Sequence, residues 1–88
     1  MLSMSPVLLA PLQAEAGSVL AALVADRDDP RGLKLNDLSA LTGLATGNIG
    51  RHLRTLERER LACYERGTWH PTLRGVRHPA GDSELLAA

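Results

Sequence analysis

The stretch LNDLSALTGLATGNIGRHLRTLERERL, residues 35–61, decides the fold of this 88-residue chain. Its first part places Leu38 and Leu41 at helical spacing and then reaches Gly43, a candidate left-handed helix C-cap. Its second part repeats apolar residues at Ile49, Leu53 and Leu56, the spacing of one buried helix face. The pattern predicts a short helix, a tight turn and a longer helix.

The predicted longer helix, residues 46–59, is basic on the side that faces away from its apolar row. At ~100° per residue, Arg51 and Arg58 fall opposite Ile49, and Arg54 flanks them. Such a face offers donors for phosphates and for base edges. We expect Asn36 and Thr46 to act as the N-caps of the two helices, because their side chains accept hydrogen bonds from free backbone amides.

The segments on either side complete a mainly α-helical fold with one small β-hairpin. Apolar residues recur at helical spacing over residues 12–27, and Asp28-Asp29-Pro30 ends that predicted helix. Leu33-Lys34-Leu35 alternates and predicts a minor strand. Residues 61–65 and 68–71 predict two strands around an Arg66-Gly67 turn. That register sets Tyr64 opposite Trp69 and Cys63 opposite His70.

Charge is unevenly distributed along a chain whose ten basic and ten acidic residues balance. Residues 1–44 hold three basic and five acidic side chains, a net charge of −2. Residues 45–78 hold seven arginines and three glutamates, a net charge of +4. All of the basic residues in this second segment are arginine, which suits bidentate contacts to phosphate or guanine.

The order helix, strand, short helix, tight turn, longer helix and hairpin resembles the winged helix-turn-helix transcriptional regulators, the broad MarR, IclR and ArsR-like superfamily. LNDLSALTGL is similar to the second helix and turn of that superfamily, NIGRHLRTLERERL to its recognition helix, and GTWHPTLRG to its second wing strand. The resemblance covers roughly residues 15–76 and implies a three-helix core plus a short wing. Relatives usually have glycine where this chain has Arg60, so we expect a strained left-handed residue there.

The resemblance also implies a function, which is sequence-specific binding of double-stranded DNA by a small bacterial-type transcriptional regulator. Helix 46–59 is then expected in the major groove and wing 61–71 on the DNA backbone. The candidate DNA-contacting residues are Thr46, Asn48, Arg51, His52, Arg54, Thr55, Arg58 and Arg66. Among them, Arg51 is the expected base-edge reader, while Arg58 and Arg66 are expected to meet phosphates.

Two readings without DNA contact stay open at the level of sequence. Winged helices also serve as protein–protein interaction modules, and the zero net charge is compatible with that role. The arginine row is otherwise explained as a solvated helix face paired with Glu57 and Glu59.

Other classes of function find little support in the residues. The chain lacks a recognisable nucleophile–base pair, phosphate-binding glycine loop or paired carboxylates, so we predict that it is not an enzyme. Cys63 and His70 are two potential ligands and do not make a metal site, so no cofactor is expected. The single cysteine and the lack of a long apolar run predict a cytoplasmic protein without a membrane segment.

The sequence predicts three segments along the chain and a homodimeric assembly. Residues 1–11 form an apolar N-terminal arm, residues 12–77 the winged helix-turn-helix domain, and residues 78–88 a flexible acidic tail. We expect a homodimer, because one recognition helix alone gives limited specificity. Its predicted interface is residues 6–11 of the arm together with helix 12–27, because these segments carry more Leu and Val than one small core needs.

Overall fold

The computed structural model describes residues 14–81. Helix α1 spans Ala14–Ala25, α2 spans Leu35–Thr42 and α3 spans Thr46–Arg58. Strands β1, Ala62–Glu65, and β2, Thr68–Pro71, follow as an antiparallel hairpin, and a short helix α4, Leu73–Arg77, precedes a 3₁₀ turn at Pro79–Gly81. The prediction of a mainly α winged helix-turn-helix fold with three core helices and one short wing is confirmed.

Helix α1 forms because its apolar residues recur on one side and pack inward. Val19, Leu20, Leu23 and Val24 are all buried. The helix ends at Ala25, two residues before the predicted boundary, and the Arg27 guanidinium donates to the carbonyl of Val24 at 2.8 Å. That bond satisfies one of the carbonyls that a helix C-terminus leaves without an intrahelical partner.

Helix α2 begins one residue earlier than its predicted cap. Asn36 lies inside the helix, so the prediction that it is the N-cap is wrong. The cap position is Lys34, whose backbone N–H donates to the Asp37 carboxylate at 3.0 Å. Asp37 thereby satisfies a free amide and also places negative charge at the positive end of the helix dipole. Gly43 ends α2 with φ 77°, as predicted for a left-handed C-cap.

Helix α3 likewise starts without the predicted side-chain cap. Ala45 occupies the cap position and Thr46 is the first helical residue, so the N-cap role predicted for Thr46 is wrong. At the other end Arg60 takes φ 63°, the left-handed conformation expected from its position. The Leu61 N–H then donates to the carbonyl of Leu56 at 2.8 Å, which closes the last turn and directs the chain into β1.

The hairpin has the predicted two-residue turn and register. Tyr64 pairs with Trp69 and Cys63 with His70, while Arg66 and Gly67 adopt φ 53° and 82°. Positive φ at both central residues gives the turn whose twist matches that of the strands it joins. Leu33 adds an isolated bridge to Trp69, which is what the structure retains of the predicted minor strand.

Thr72 joins the end of the hairpin to the exit of α3. Its hydroxyl donates to the Arg60 carbonyl at 2.6 Å and accepts from the Gly75 N–H at 3.0 Å, so one side chain bonds the strained residue and caps α4. Beyond α4, Ala80 packs against the core cluster, so packed structure extends past the predicted domain boundary at residue 77. The predicted arm, 1–11, and the remaining predicted tail, 82–88, lie outside the described residues.

A single aliphatic core holds these elements together. Leu20, Leu38, Ile49, Leu53 and Leu56 are each 0% exposed. They come from α1, α2 and α3, so each of the three helices contributes fully buried side chains to one cluster. Burial of a Leu or Ile side chain stabilises a fold by about 1.5–3 kcal/mol, which makes this cluster the main source of stability in so small a domain.

The left-handed conformation of Arg60 predicts a stabilising substitution. Arg60→Gly should raise the free energy of unfolding by about 0.5–1 kcal/mol, because glycine adopts positive φ without the clash of a Cβ atom. Arg60→Ala is the matched control, since it removes the same charge and keeps the Cβ. Urea denaturation of both variants checks this, and equal midpoints for the two would contradict it.

Candidate nucleic-acid interface

The outward side of α3 carries a row of exposed arginines. Ile49, Leu53 and Leu56 point into the core, and the helical period therefore turns Arg51, Arg54 and Arg58 away from it. All three arginines are exposed. They lie three and four residues apart, so they follow one another along a single face of the helix.

Two of the predicted contact residues are joined to each other. An Arg51 Nη2 donates to Asn48 Oδ1 at 2.6 Å, across one turn of α3. The bond restricts the rotamers of Arg51 while leaving its other guanidinium N–H groups free to donate. Thr55 lies on the same flank, half-buried, and its hydroxyl donates to the Arg51 carbonyl at 3.3 Å.

The exposed arginines lack acidic partners within the described part of the chain. Among residues 14–81, neither the α3 arginines nor Arg66 has a carboxylate oxygen within 4.0 Å. Arg31 behaves differently, because its guanidinium contacts Asp29 at 3.1 Å. The arginine row therefore forms no ion pair with Glu57 or Glu59 within residues 14–81, and a solvated arginine face stays an alternative prediction.

The first turn of α3 adds free backbone donors to the same surface. Within residues 14–81, the N–H groups of Thr46 and Gly47 have no hydrogen-bond acceptor. Both residues are exposed. Free amides at the positive end of a helix dipole attract anions, so this turn has the electrostatic character of a phosphate contact.

His52 has a partner inside the protein that its sequence position did not reveal. Its Nε2 lies 3.0 Å from Glu15 Oε1 on α1, and its side chain is only 11% exposed. Together with Asn48, Arg51 and Thr55, the pair lines a shallow depression of about 310 Å³ beside the arginine row. Sequence reasoning missed Glu15 because it lies 37 residues from His52, and no local pattern links the two. A DNA contact by His52 stays a prediction.

The hairpin carries Arg66 in its turn and a pair of aromatic side chains on its strands. Arg66 is exposed in the turn. The rings of Tyr64 and Trp69 lie on one face with centroids 5.0 Å apart, as predicted. Trp69 packs against the core cluster, so the aromatic pair braces the wing against the helices.

Cys63 and His70 share the other face of the hairpin. Burial raises the pKa of the Cys63 thiol above its ordinary value, and the carboxylates of Glu65 and Glu57 add to that shift. No cluster of three or more potential metal ligands occurs within residues 14–81. In that same part of the chain, no helix has the length and apolar character to cross a membrane.

The sequence matches a known domain family over its three core helices and the first strand of the hairpin. The IclR helix-turn-helix domain matches residues 16–66, from the first turn of α1 to the tip of the hairpin. The chain belongs to the IclR helix-turn-helix domain family. In a DNA-binding helix-turn-helix the second helix is the recognition helix, and α3 occupies that position in this chain.

Similarity to solved structures agrees on the fold. The structure of S. aureus MepR bound to ethidium bromide matches with a TM-score of 0.70 at 21% sequence identity. The alignment covers 96% of this chain and 64% of that chain. No curated protein matches the sequence.

The contact between Glu15 and His52 predicts coupling between α1 and the recognition helix. In a double-mutant cycle of Glu15→Ala and His52→Ala, the free energies of unfolding should couple by about 0.5–1.5 kcal/mol, the range of a side-chain hydrogen bond. Duplex binding should change alike in the two single variants, because each removes the same contact. Zero coupling, together with weaker duplex binding in His52→Ala alone, would assign His52 to the DNA instead.

Proposed function

We propose that this domain binds double-stranded DNA with α3 in the major groove and the hairpin against the sugar–phosphate backbone. The observation that carries the proposal is the row of exposed arginines on α3, which have no acidic partner within residues 14–81 and lie directly opposite the buried row of the same helix. Charged groups that a protein leaves unpaired on one face are free to pair with a polyanion.

The dimensions of the recognition helix suit the groove. Its 13 residues make a rod roughly 20 Å long, and the major groove, about 12 Å wide, admits an α-helix. Arg51 lies in the half of α3 nearer the N-terminus, and its bond to Asn48 restricts the guanidinium before binding. Arginine pairs in a bidentate manner with the O6 and N7 of guanine, so we assign Arg51 to a base edge.

The remaining predicted contacts fit phosphates better than bases. Arg58 is near the C-terminal end of α3, and Arg66 is on the hairpin turn, where a wing meets the backbone beside the groove. The free amides of Thr46 and Gly47 add a phosphate contact without side-chain charge. Arg54 lies between the two ends of the row and serves either role.

The arginine variants should separate the two kinds of contact. Arg51→Ala should weaken binding to the preferred duplex by ~1–3 kcal/mol and reduce its advantage over random DNA, because a base-edge contact is lost. Arg58→Ala and Arg66→Ala should weaken all duplexes about equally and lower the salt slope by about one unit each. Titrations at several salt concentrations measure both effects.

The control for charge alone is Arg74→Ala on α4, which removes one exposed arginine away from α3 and the hairpin tip. It should leave the salt slope nearly unchanged. If the wild type shows no salt-dependent binding at low salt, the proposal fails and a protein–protein interaction role replaces it. If Arg51→Ala behaves like Arg58→Ala, the assignment of the reading residue is wrong.

The functional unit that we propose is a non-enzymatic, cytoplasmic homodimer. Membership in a helix-turn-helix family supports a non-enzymatic role. The free thiol of Cys63 supports a reducing compartment such as the cytoplasm. Pairing supplies a second recognition helix and hence a second half-site. The predicted interface needs revision, however, because the Leu and Val side chains of α1 are buried in the domain's own core. The expectation that they are surplus is wrong, and the proposed interface is the other part of that prediction, residues 6–11 of the apolar arm, which lie outside the described residues.

Association is testable without DNA. Sedimentation of the full chain at tens of micromolar should give the mass of a dimer, and deletion of residues 1–11 should shift the chain toward monomer, because the arm supplies the apolar contact. Circular dichroism of the deleted chain is the control for folding. A wild-type monomer at that concentration would contradict the proposed dimer, and a dimer unaffected by the deletion would move the interface elsewhere.

A further inference from the structure

Two glycines interrupt the recognition helix at positions where the protein itself does not require them. Gly47 and Gly50 have ordinary helical backbone without positive φ. A Cβ atom built on either residue would meet no described atom within 4 Å. Glycine is among the residues least favourable to a helix, so two of them weaken α3 without relieving any internal clash.

At other positions of the chain, the backbone conformation or the packing of the protein itself requires glycine. Gly43 takes φ 77° to end α2, and a Cβ atom on Gly75 would clash with the backbone carbonyl of Leu61. The contrast shows that no part of residues 14–81 fills the space in front of Gly47 and Gly50. Glycine at these two positions is therefore explained better by a molecule that contacts α3 than by packing within residues 14–81.

The two glycines lie on the side of α3 that carries the arginines. At ~100° per residue, Gly47 projects between Arg51 and Arg54, and Gly50 projects on the Arg54 side of that row. Gly47 is exposed, and its N–H has no acceptor within residues 14–81. The surface that they form is a strip of backbone without side chains, beside arginines that have no acidic partner within residues 14–81.

We propose that Gly47 and Gly50 are the points of closest approach between α3 and the DNA. Without side chains there, the helix backbone comes against the nucleic acid, and the neighbouring arginines reach deeper into the groove than a helix with a Cβ layer would allow. The two glycines thus set how far α3 enters the groove. This inference rests on the proposed function, because it concerns the same DNA-binding face.

The test measures stability and binding on the same variants. The double variant Gly47→Ala/Gly50→Ala should raise the midpoint of thermal unfolding by about 4–16 °C, because alanine favours the helix and has open space. Its affinity for the duplex that wild type binds should fall about tenfold or more, since two methyl groups hold the helix away from its contacts. Gly17→Ala on α1, whose Cβ would meet Ala80 at an ordinary 3.5 Å, is the matched control. It should gain stability without losing affinity.

The outcomes separate this inference from the proposed function. Wild-type protein that does not bind duplex DNA overturns both. Wild-type binding that the double variant retains in full overturns the close approach alone. A fall in thermal stability would reveal an internal reason for the glycines and would also overturn it. If the double variant fails to fold, Gly50→Ala alone is measured against Gly17→Ala by the same two criteria.

Discussion

The packing of Ile49, Leu53 and Leu56 against α1 and α2 is the constraint on which the rest of the molecule depends. Each of these side chains is 0% exposed, so α3 has no freedom to rotate about its own axis without removing them from the core. Truncating such a residue to alanine costs about 2–5 kcal/mol, a large fraction of the stability of a domain this small. The same constraint directs the arginines outward, because a helix that buries one face must present the other.

The hairpin is held to this core by hydrogen bonds and packing that offset the strain at Arg60. Arg60 adopts an unfavourable left-handed conformation, and the Thr72 hydroxyl bonds its carbonyl while capping α4. Trp69 packs on the core and its backbone pairs with that of Leu33, so β2 is attached to the helical part of the domain. A wing positioned in this way keeps Arg66 in a constant relation to α3, which a contact with two parts of one duplex requires.

Sequence alone predicted the features that follow from periodicity and from turn chemistry. Apolar spacing predicted the buried row of α3, the residue type at a helix end predicted the left-handed Gly43, and a two-residue turn predicted the pairing of Tyr64 with Trp69. The predicted N-caps were wrong by two residues for α2, where Lys34 replaces Asn36, and by one for α3, where Ala45 replaces Thr46. At α2 the acceptor for the free amide is the Asp37 carboxylate, which reaches back to the Lys34 N–H, and not the Asn36 side chain. The contact of His52 with Glu15 depends on how two helices cross, which no local pattern contains.

Mapping backbone amide shifts by NMR while a short duplex is added to the ¹⁵N-labelled chain tests the account most directly. The account predicts the largest changes on the outward side of α3, at Gly47, Arg51 and Arg54, and at Arg66 in the hairpin turn, with α4 little affected. It also predicts that the changes diminish as salt is raised, since released counterions drive much of the binding. Shifts confined to α4 and the exposed Leu73, or none at low salt, would contradict a DNA-binding role for the arginine face.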